Sequence, residues 1–229
     1  MDRPADRPAE RRTPVYTLAR WLTRLISLLL FPIRYHGADT INAMEAPYML
    51  VSNHASMLDP LMLAVPVRRY ELRFLGKPEL GANRLFRWVL DRLHMISVSR
   101  HMTDMAAMRA SNEVLAQGHV LALFPEGTRK PPEQLMEGVE SGVSLLALRN
   151  KVPLMPAYIH GRIRLFRTTH IYFLPQLHYE DLAAQGIGKD AVDALTQRLV
   201  ATIRAARDEA AKNLSDNSAG KQGPPSNGI

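Results

Sequence analysis

A histidine and an aspartate five positions apart, His54 and Asp59, form the residue pair best suited to acid–base chemistry. On one continuous helix their side chains would point about 140° apart and would not meet. Asp59-Pro60 is a favourable helix start, with aspartate as N-cap and proline at the first helical position, so His54 falls in the preceding turn and can fold back onto the carboxylate. Such a pair fixes the imidazole tautomer and lets the other ring nitrogen accept a proton from a hydroxyl. A histidine that only closes the turn is the alternative, and the spacing alone leaves both open.

A second segment, F-P-E-G-T-R-K, is suited to binding an anion after a buried strand. Gly127 allows a ligand to approach the backbone closely, and Arg129 can hold a phosphate through its bidentate guanidinium. Lys130 adds positive charge, and Glu126 is placed to orient Arg129 or to bind an acceptor hydroxyl. An ordinary Pro-Gly turn with a surface arginine is the other interpretation.

The composition narrows the classes of protein. The 229 residues suit one sizeable α/β domain and include no cysteine, which excludes a thiolate nucleophile, a disulfide framework and a cysteine-ligated zinc site. The net charge of +7 favours an anionic partner such as a membrane surface or a phosphorylated small molecule. We do not expect nucleic acid as a partner, because no basic stretch is interleaved with aromatic residues. The sequence contains no H-E-x-x-H motif of the kind that binds zinc.

The first apolar segment predicts a helix that touches a membrane. Thr13 is a plausible N-cap, Pro14 fits the first turn, and the apolar run ends before Pro32. Such a helix would be roughly 27 Å long, but Arg20 and Arg24 near its middle argue against a helix that spans the bilayer. We expect an interfacial helix over residues 13–33, with its arginines at the headgroups. An amphipathic helix packed on the protein's own core is the alternative.

The rest of the chain alternates short apolar strands with helical patterns, which predicts an α/β fold with a mixed, mostly parallel sheet flanked by helices. The predicted strands are 48–52, 72–76, 95–98, 120–124, 154–159 and 171–174. The predicted helices are 60–65, 83–93, 104–116, 138–149 and 191–212. Residues 34–211 are therefore expected to form the domain, between a disordered arm over residues 1–12 and a disordered tail over residues 212–229.

Four ordered blocks of this sequence resemble the glycerolipid acyltransferase family, which includes the 1-acylglycerol-3-phosphate acyltransferases. The blocks are N-H-A-S-M-L-D at 53–59, G-K-P-E-L at 76–80 with I-x-V-x-R at 96–100, F-P-E-G-T-R at 124–129 and V-P-L-M-P at 152–156. The resemblance extends over residues 46–161, about half of the chain. One departure concerns the phenylalanine–lysine pair that family members usually carry before the next helix. The sequence here is Q-L-M-E-G, without a lysine, at residues 134–138.

The resemblance implies a role for each matching residue. His54 would be the general base and Asp59 its orienting partner. The residues implied in binding the acceptor are Glu126, Gly127, Thr128, Arg129, Lys77 and Arg100.

The resemblance also implies an activity, the transfer of a fatty acyl group from acyl-CoA or acyl carrier protein to lysophosphatidate. Such direct transfer requires no cofactor and no metal. The expected partners are membrane lipid, a lysophospholipid and the acyl donor, at the cytoplasmic face of the cell membrane as a peripheral or monotopic protein. Transfer to another acceptor, such as glycerol 3-phosphate or a lyso-aminolipid, remains an alternative. So do thioester hydrolysis with His54 activating water and a non-catalytic membrane-binding module.

Overall fold

The computed structural model describes residues 13–76, 95–97 and 105–219. The strands are β1 (Ile33–His36), β2 (Met49–Ser52), β3 (Leu72–Gly76), β4 (Met95–Ser97), β5 (Val120–Leu123), β6 (Leu154–His160) and β7 (Thr169–Phe173). The helices are α1 (Pro14–Leu30), α2 (Ala38–Ala43), α3 (Asp59–Ala64), α4 (Met105–Ala116), α5 (Gly142–Asn150), α6 (Glu180–Ala183) and α7 (Lys189–Ala219), with a 3₁₀ turn at Pro132–Gln134.

The seven described strands form one sheet in the order β1-β7-β6-β2-β5-β3-β4. Strands β6, β2, β5, β3 and β4 pair in parallel along this order, while β7 runs antiparallel to β6 and parallel to β1. The prediction of an α/β fold with a mixed, mostly parallel sheet is confirmed. The carboxyl ends of β6, β2 and β5 therefore meet at one edge of the sheet, which is where such folds bind ligands.

Alternation along the central strand β2 divides the core into two layers. Met49 and Val51 join one buried cluster, which includes residues of α4, α5 and α7. Leu50, and Tyr48 just before the strand, join the other, which includes residues of α2 and α3. Since successive side chains of a strand point to opposite faces, α7 and α3 cover opposite faces of the sheet. Both faces of β2 are thus protected from water, as a central parallel strand requires.

Most predicted elements occur within a few residues of their expected bounds. The strand β1 was not predicted, because four residues that follow an apolar helix directly give too short an alternation to recognise. Helix α5 begins at Gly142 instead of 138, since Gly138 has a φ of +61° and the N–H of Glu140 donates to the carbonyl of Pro125. The predicted helix 83–93 and the predicted arm 1–12 lie outside the described residues.

The predicted boundary between domain and tail at residues 211 and 212 is wrong. Helix α7 continues to Ala219, and its side chain at Ala210 is still buried against the core. Once a helix is nucleated and anchored, each further residue that is fixed gains one hydrogen bond, so a polar composition does not by itself end the helix. Residues 220–229 lie outside the described part of the chain.

One side of α1 packs on the domain. Thr13 is its N-cap as predicted, and its hydroxyl accepts the N–H of Tyr16 at 3.3 Å. The buried Tyr16 hydroxyl accepts the N–H of Leu72 at 3.1 Å, and Arg20 donates to carbonyls in the segment after α3. Along this side α1 therefore packs on the protein's own core, as the alternative interpretation of residues 13–33 expected.

The other side of α1 faces solvent with large apolar residues. These exposed side chains are Leu18, Trp21, Leu22, Leu25, Ile26, Leu28, Leu29 and Leu30. A helix that leaves so much apolar area in water marks an interaction surface. Among the described helices, none combines the length and the apolar composition needed to cross a bilayer.

Candidate active site

The candidate site lies where two neighbouring strands send the chain in opposite directions. Strand β2 leads through α3 to β3 on one side, whereas β5 leads through α5 to β6 on the other side and over the opposite face. The two connections diverge and open a crevice at the carboxyl ends of β2 and β5. His54 follows β2 by two residues and Glu126 follows β5 by three, so the topology brings them together.

His54 and Asp59 meet as the sequence predicted. The Nδ1 atom of His54 lies 2.8 Å from Oδ2 of Asp59, whose side chain is fully buried, while the His54 side chain is 19% exposed. The helix nevertheless begins at Asp59 with Leu58 as its N-cap, so the prediction that Asp59 is the N-cap is wrong. Its carboxylate turns back into the preceding turn instead.

Asp59 holds that turn as well as the imidazole. Its Oδ2 atom accepts the N–H groups of Ala55 and Ser56, both at 2.7 Å, in addition to His54. Because two fixed donors converge on the same oxygen, the carboxylate cannot rotate away from the ring. Nδ1–H of His54 then donates to Asp59, which leaves Nε2 as the ring atom able to accept a proton. The imidazole also stacks on Phe124, with ring centroids 4.2 Å apart.

Asn53 ties the turn to the neighbouring strand. Its side chain donates to the carbonyl of Ile159 at 3.1 Å and accepts the N–H of the same residue at 2.8 Å. This pair of bonds fixes the residue before His54 against the end of β6. Sequence reasoning gave Asn53 no role, since its partner is more than a hundred residues away.

Glu126 supports the backbone of the site. One carboxylate oxygen accepts the N–H of His54 and the other accepts the N–H of Met136, both at 2.7 Å. The residue is only 5% exposed, and in the described part of the chain its hydrogen-bond partners are these two backbone N–H groups and not Arg129. Burial raises the pKa of this carboxyl group, an effect that its hydrogen bonds from the two backbone N–H groups oppose. The arrangement suits a residue that positions His54.

In the turn after β5, residues 127–129 are exposed, whereas residue 130 is partly buried. Gly127, with a φ of +65°, Thr128 and Arg129 are exposed at the tip. The backbone N–H of Lys130 donates to the carbonyl of His54 at 2.9 Å, and Lys130 is among the residues that line the pocket. The predicted anion-binding residues Lys77 and Arg100 lie outside the described residues, so their proposed roles stay predictions.

The pocket is walled by three strand ends and the loop after β5. Its lining residues are Asn53, His54, Ala55, Glu126, Lys130, Pro131, Pro132, Leu135, Tyr158, Ile159 and Gly161. Thus a histidine, a lysine and several apolar residues border one space. Leu135, Tyr158 and Gly161 were missed as site residues because only the folded chain brings them to His54.

The cation missing from residues 134–138 has a counterpart in space. The Nζ atom of Lys130 lies 3.9 Å from the point where a Cβ atom at Gly138 would stand. A lysine side chain therefore occupies the neighbourhood of the Q-L-M-E-G segment although the segment has none. Within the described residues, no cluster of three or more histidine, aspartate or glutamate side chains is arranged to hold a metal ion.

Comparison with known proteins assigns the class of protein. Residues 32–160, more than half of the chain, match the model of the family described as Acyltransferase, and the chain belongs to this family. The 1-acyl-sn-glycerol-3-phosphate acyltransferase of Streptococcus pneumoniae is 29% identical over 150 residues, which cover 63% of this chain and 55% of the relative. That of Pseudomonas aeruginosa is 28% identical over 196 residues, 81% of this chain and 72% of the relative. The match thus spans little more than half the length of the first of these relatives.

A solved structure has the same fold. The crystal structure of the 1-acyl-sn-glycerophosphate acyltransferase PlsC from Thermotoga maritima superposes with a TM-score of 0.65 and 18% identity, covering 86% of this chain and 78% of that one. At this identity the similarity supports the architecture of the sheet and its helices. The family assignment rests on the sequence match.

Proposed function

We propose that this protein transfers a fatty acyl group from acyl-CoA or acyl carrier protein to the free hydroxyl of 1-acylglycerol 3-phosphate, which gives phosphatidate. The observation that carries the proposal is the 2.8 Å contact between His54 and the buried Asp59 on the wall of a pocket. The family match supports the reaction type, and the names of the two relatives support this acceptor.

The geometry suggests how the reaction proceeds. Nε2 of His54 takes the proton of the acceptor hydroxyl as its oxygen attacks the thioester carbonyl. The imidazolium is stabilised by the Asp59 carboxylate at Nδ1. The tetrahedral intermediate then expels the thiolate, which recovers the proton from His54. The products are phosphatidate and the free thiol, so the proposed steps consume no cofactor.

Lys130 is the proposed phosphate-binding cation inside the pocket. Lys130 lines the same pocket as His54 and is partly buried, whereas Arg129 lies at the exposed tip of the turn. A phosphate beside a lysine ammonium gains a charge-assisted hydrogen bond, which a hydroxyl-bearing acceptor without phosphate does not make. Arg129 and Thr128 would meet the headgroup from the outer side.

Replacing Lys130 by alanine is expected to raise KM for lysophosphatidate about tenfold, in line with the loss of one charge-assisted contact, while kcat changes less. Initial rates at varied acceptor concentration measure it. Lys151→Ala, at the exposed end of α5, is the matched control. An equal loss of activity with a monoacylglycerol acceptor, which has no phosphate, would show that Lys130 acts on something other than the headgroup.

The proposed acceptor is a membrane lipid, and α1 supplies a surface for it. Its exposed leucines and Trp21 are suited to the acyl region, and the exposed Arg24 to lipid phosphates. We propose peripheral or monotopic attachment at the cytoplasmic face of the cell membrane. Deletion of α1 is a poor test of this attachment, because the buried Tyr16 would be lost with it.

Release of free thiol tests the activity. Long-chain acyl-CoA and acyl carrier protein are supplied in parallel, each with lysophosphatidate, with glycerol 3-phosphate, with a lyso-aminolipid or without acceptor. The proposal predicts release that requires lysophosphatidate and yields phosphatidate. Release without any acceptor would identify a thioesterase, and release with another acceptor alone would reassign the substrate.

A further inference from the structure

The connection between β6 and β7, residues 161–168, carries exposed apolar residues that the proposed reaction does not use. Arg164 and Arg167 face each other across a tight turn, and the N–H of Arg167 donates to the carbonyl of Arg164 at 3.2 Å. Leu165 and Phe166 at its tip are 53% and 69% exposed. Ile163, by contrast, is buried in the core and fixes the base of the loop. The tip is therefore an apolar projection on an anchored loop.

The tip is held in a strained conformation against the end of α1. Phe166 has a φ of +56°, a region that an aromatic residue rarely adopts. Its N–H donates at 2.7 Å to the carbonyl of Leu30, the last residue of α1, and Thr169 donates in the same way to Pro32. Strain of this kind persists where the surrounding structure fixes it, and it clusters at functional sites. The projection thus lies beside the exposed leucines of α1.

The strand register places this surface at the same edge of the sheet as His54. Strand β6 runs parallel to β2, so the loop that leaves β6 begins where the His54 turn begins. Gly161, the first residue of the loop, lines the pocket itself. The antiparallel β7 starts at this edge, and β1 pairs with it from Ile33, which brings the end of α1 there too. The pocket and both apolar surfaces therefore share one edge.

The charge around the tip is of one sign. Arg162, Arg164 and Arg167 are all exposed, and the sequence has no acidic residue between positions 161 and 179. Apolar side chains flanked by arginines match a surface that offers acyl chains below anionic headgroups. The apolar tip, its three arginines and the neighbouring leucines of α1 together fit a lipid surface better than they fit a water-soluble protein.

We propose that residues 161–168 are a second membrane contact, in which Leu165 and Phe166 enter an anionic phospholipid surface and the three arginines bind its headgroups. The loop and α1 would then hold the His54 pocket against the bilayer, from which a lipid acceptor can enter without crossing water. This inference deepens the proposed function, since it names the surface from which the acceptor comes. Binding of the tip to lipid can be measured separately from acyl transfer.

Sedimentation of the full chain with vesicles tests the contact. With vesicles of phosphatidylcholine and phosphatidylglycerol in equal parts, the double variant Leu165→Ser/Phe166→Ser is expected to bind at least about tenfold more weakly than the wild type, because two large side chains no longer enter the lipid. Ile187→Ser is the matched control, since Ile187 is 57% exposed in the connection before α7. Substituting Arg162, Arg164 and Arg167 by glutamine should remove most of the preference for these vesicles over pure phosphatidylcholine.

A second measurement keeps the test independent of folding. Phe166→Trp in the otherwise unchanged chain should show quenching by brominated lipid beyond that of the wild type, whose Trp21 and Trp88 together supply the reference. Unchanged vesicle binding of the serine variant, or no added quenching at position 166, would overturn the inference. A third outcome would also overturn it. If the serine variant releases less thiol with a micellar or short-chain acceptor and also melts at a lower temperature, the loop has a structural role. Lipid binding by the tip in a protein that transfers no acyl group would refute the proposed function and leave this contact standing.

Discussion

Substituting His54 by alanine is expected to lower kcat for acceptor-dependent thiol release by about 10³-fold, within the range that a positioned general base contributes. The imidazole borders the pocket with Nδ1 engaged by Asp59, which leaves Nε2 to take the hydroxyl proton. The side chain is partly exposed and holds no strand in place, so the melting temperature should change little. Initial rates and a thermal melt measure both quantities.

Asp59→Asn separates the charge of the pair from its geometry. The N–H groups of Ala55 and Ser56 both face Oδ2, so the amide oxygen of asparagine will occupy that position and can still accept from His54. The tautomer is retained, but the imidazolium loses its counter-charge, and we expect kcat to fall by about 10²-fold. A loss as complete as that of His54→Ala would show that the amide has turned and displaced the ring.

The chain provides a matched control for both variants. His178 lies 3.3 Å from Glu180 in a second histidine–carboxylate pair, which is exposed and remote from the pocket lining. His178→Ala removes the same side chain without touching the proposed base and should leave kcat unchanged. If it lowered activity as His54→Ala does, the assignment of the base to His54 would be wrong.

The contact between His54 and Asp59 could be predicted from sequence because it is local. Five residues and a proline-bounded helix start leave few ways to arrange the turn, and the carboxylate reaches the ring in the most direct one. The order of strands and helices was accessible for the same reason, since apolar runs and turn residues act over short distances. The strand β1 was not, because its four residues follow an apolar helix directly and give too short an alternation to recognise.

The roles of Glu126 and Lys130 depend on which strands become neighbours. The sequence places Glu126 beside Arg129, and only the pairing of β2 with β5 reveals that its partners are the backbone N–H groups of His54 and Met136. Likewise the sequence favours Arg129 for an anion, while in the structure Arg129 is exposed and Lys130 is the basic residue among those that line the pocket. Backbone partners leave no mark on residue types, so this part of the site required the structure.

Glu126→Gln is the second substitution expected to have a large effect, because the carboxylate serves two donors and an amide cannot. The glutamine oxygen can accept from His54 or from Met136, and its NH₂ group then faces the remaining N–H. A buried N–H without an acceptor costs about 1–3 kcal/mol and can be relieved only by a shift of the turn that carries His54. We expect kcat to fall by about 10²-fold, since displacement of a catalytic group by about 1 Å has an effect of this size.

The effect of the Glu126 pKa on stability indicates that this residue serves to position His54 and not to stabilise the fold. Burial raises its pKa in the folded state above the usual value of a glutamate. A raised carboxyl pKa contributes stability below the unfolded-state pKa, and this contribution is lost as the pH rises through the folded-state pKa. Above the folded-state pKa the ionised carboxylate is therefore a cost to the fold, which its two backbone hydrogen bonds partly offset.

The split between kcat and KM distinguishes the positioning role from acceptor binding. If Glu126 positions His54, Glu126→Gln lowers kcat while KM for lysophosphatidate stays close to that of the wild type. If it binds the acceptor, as the family resemblance implied, KM rises, although an ionised carboxylate beside a phosphate would repel it. Glu140→Gln is the control, because Glu140 is an exposed glutamate next to Gly127. Its Oε1 atom lies 3.2 Å from the position that a Cβ atom at Gly127 would take. A rise in KM at Glu126 with kcat unchanged would return that residue to the acceptor site and leave the orientation of His54 to Asp59 and Asn53.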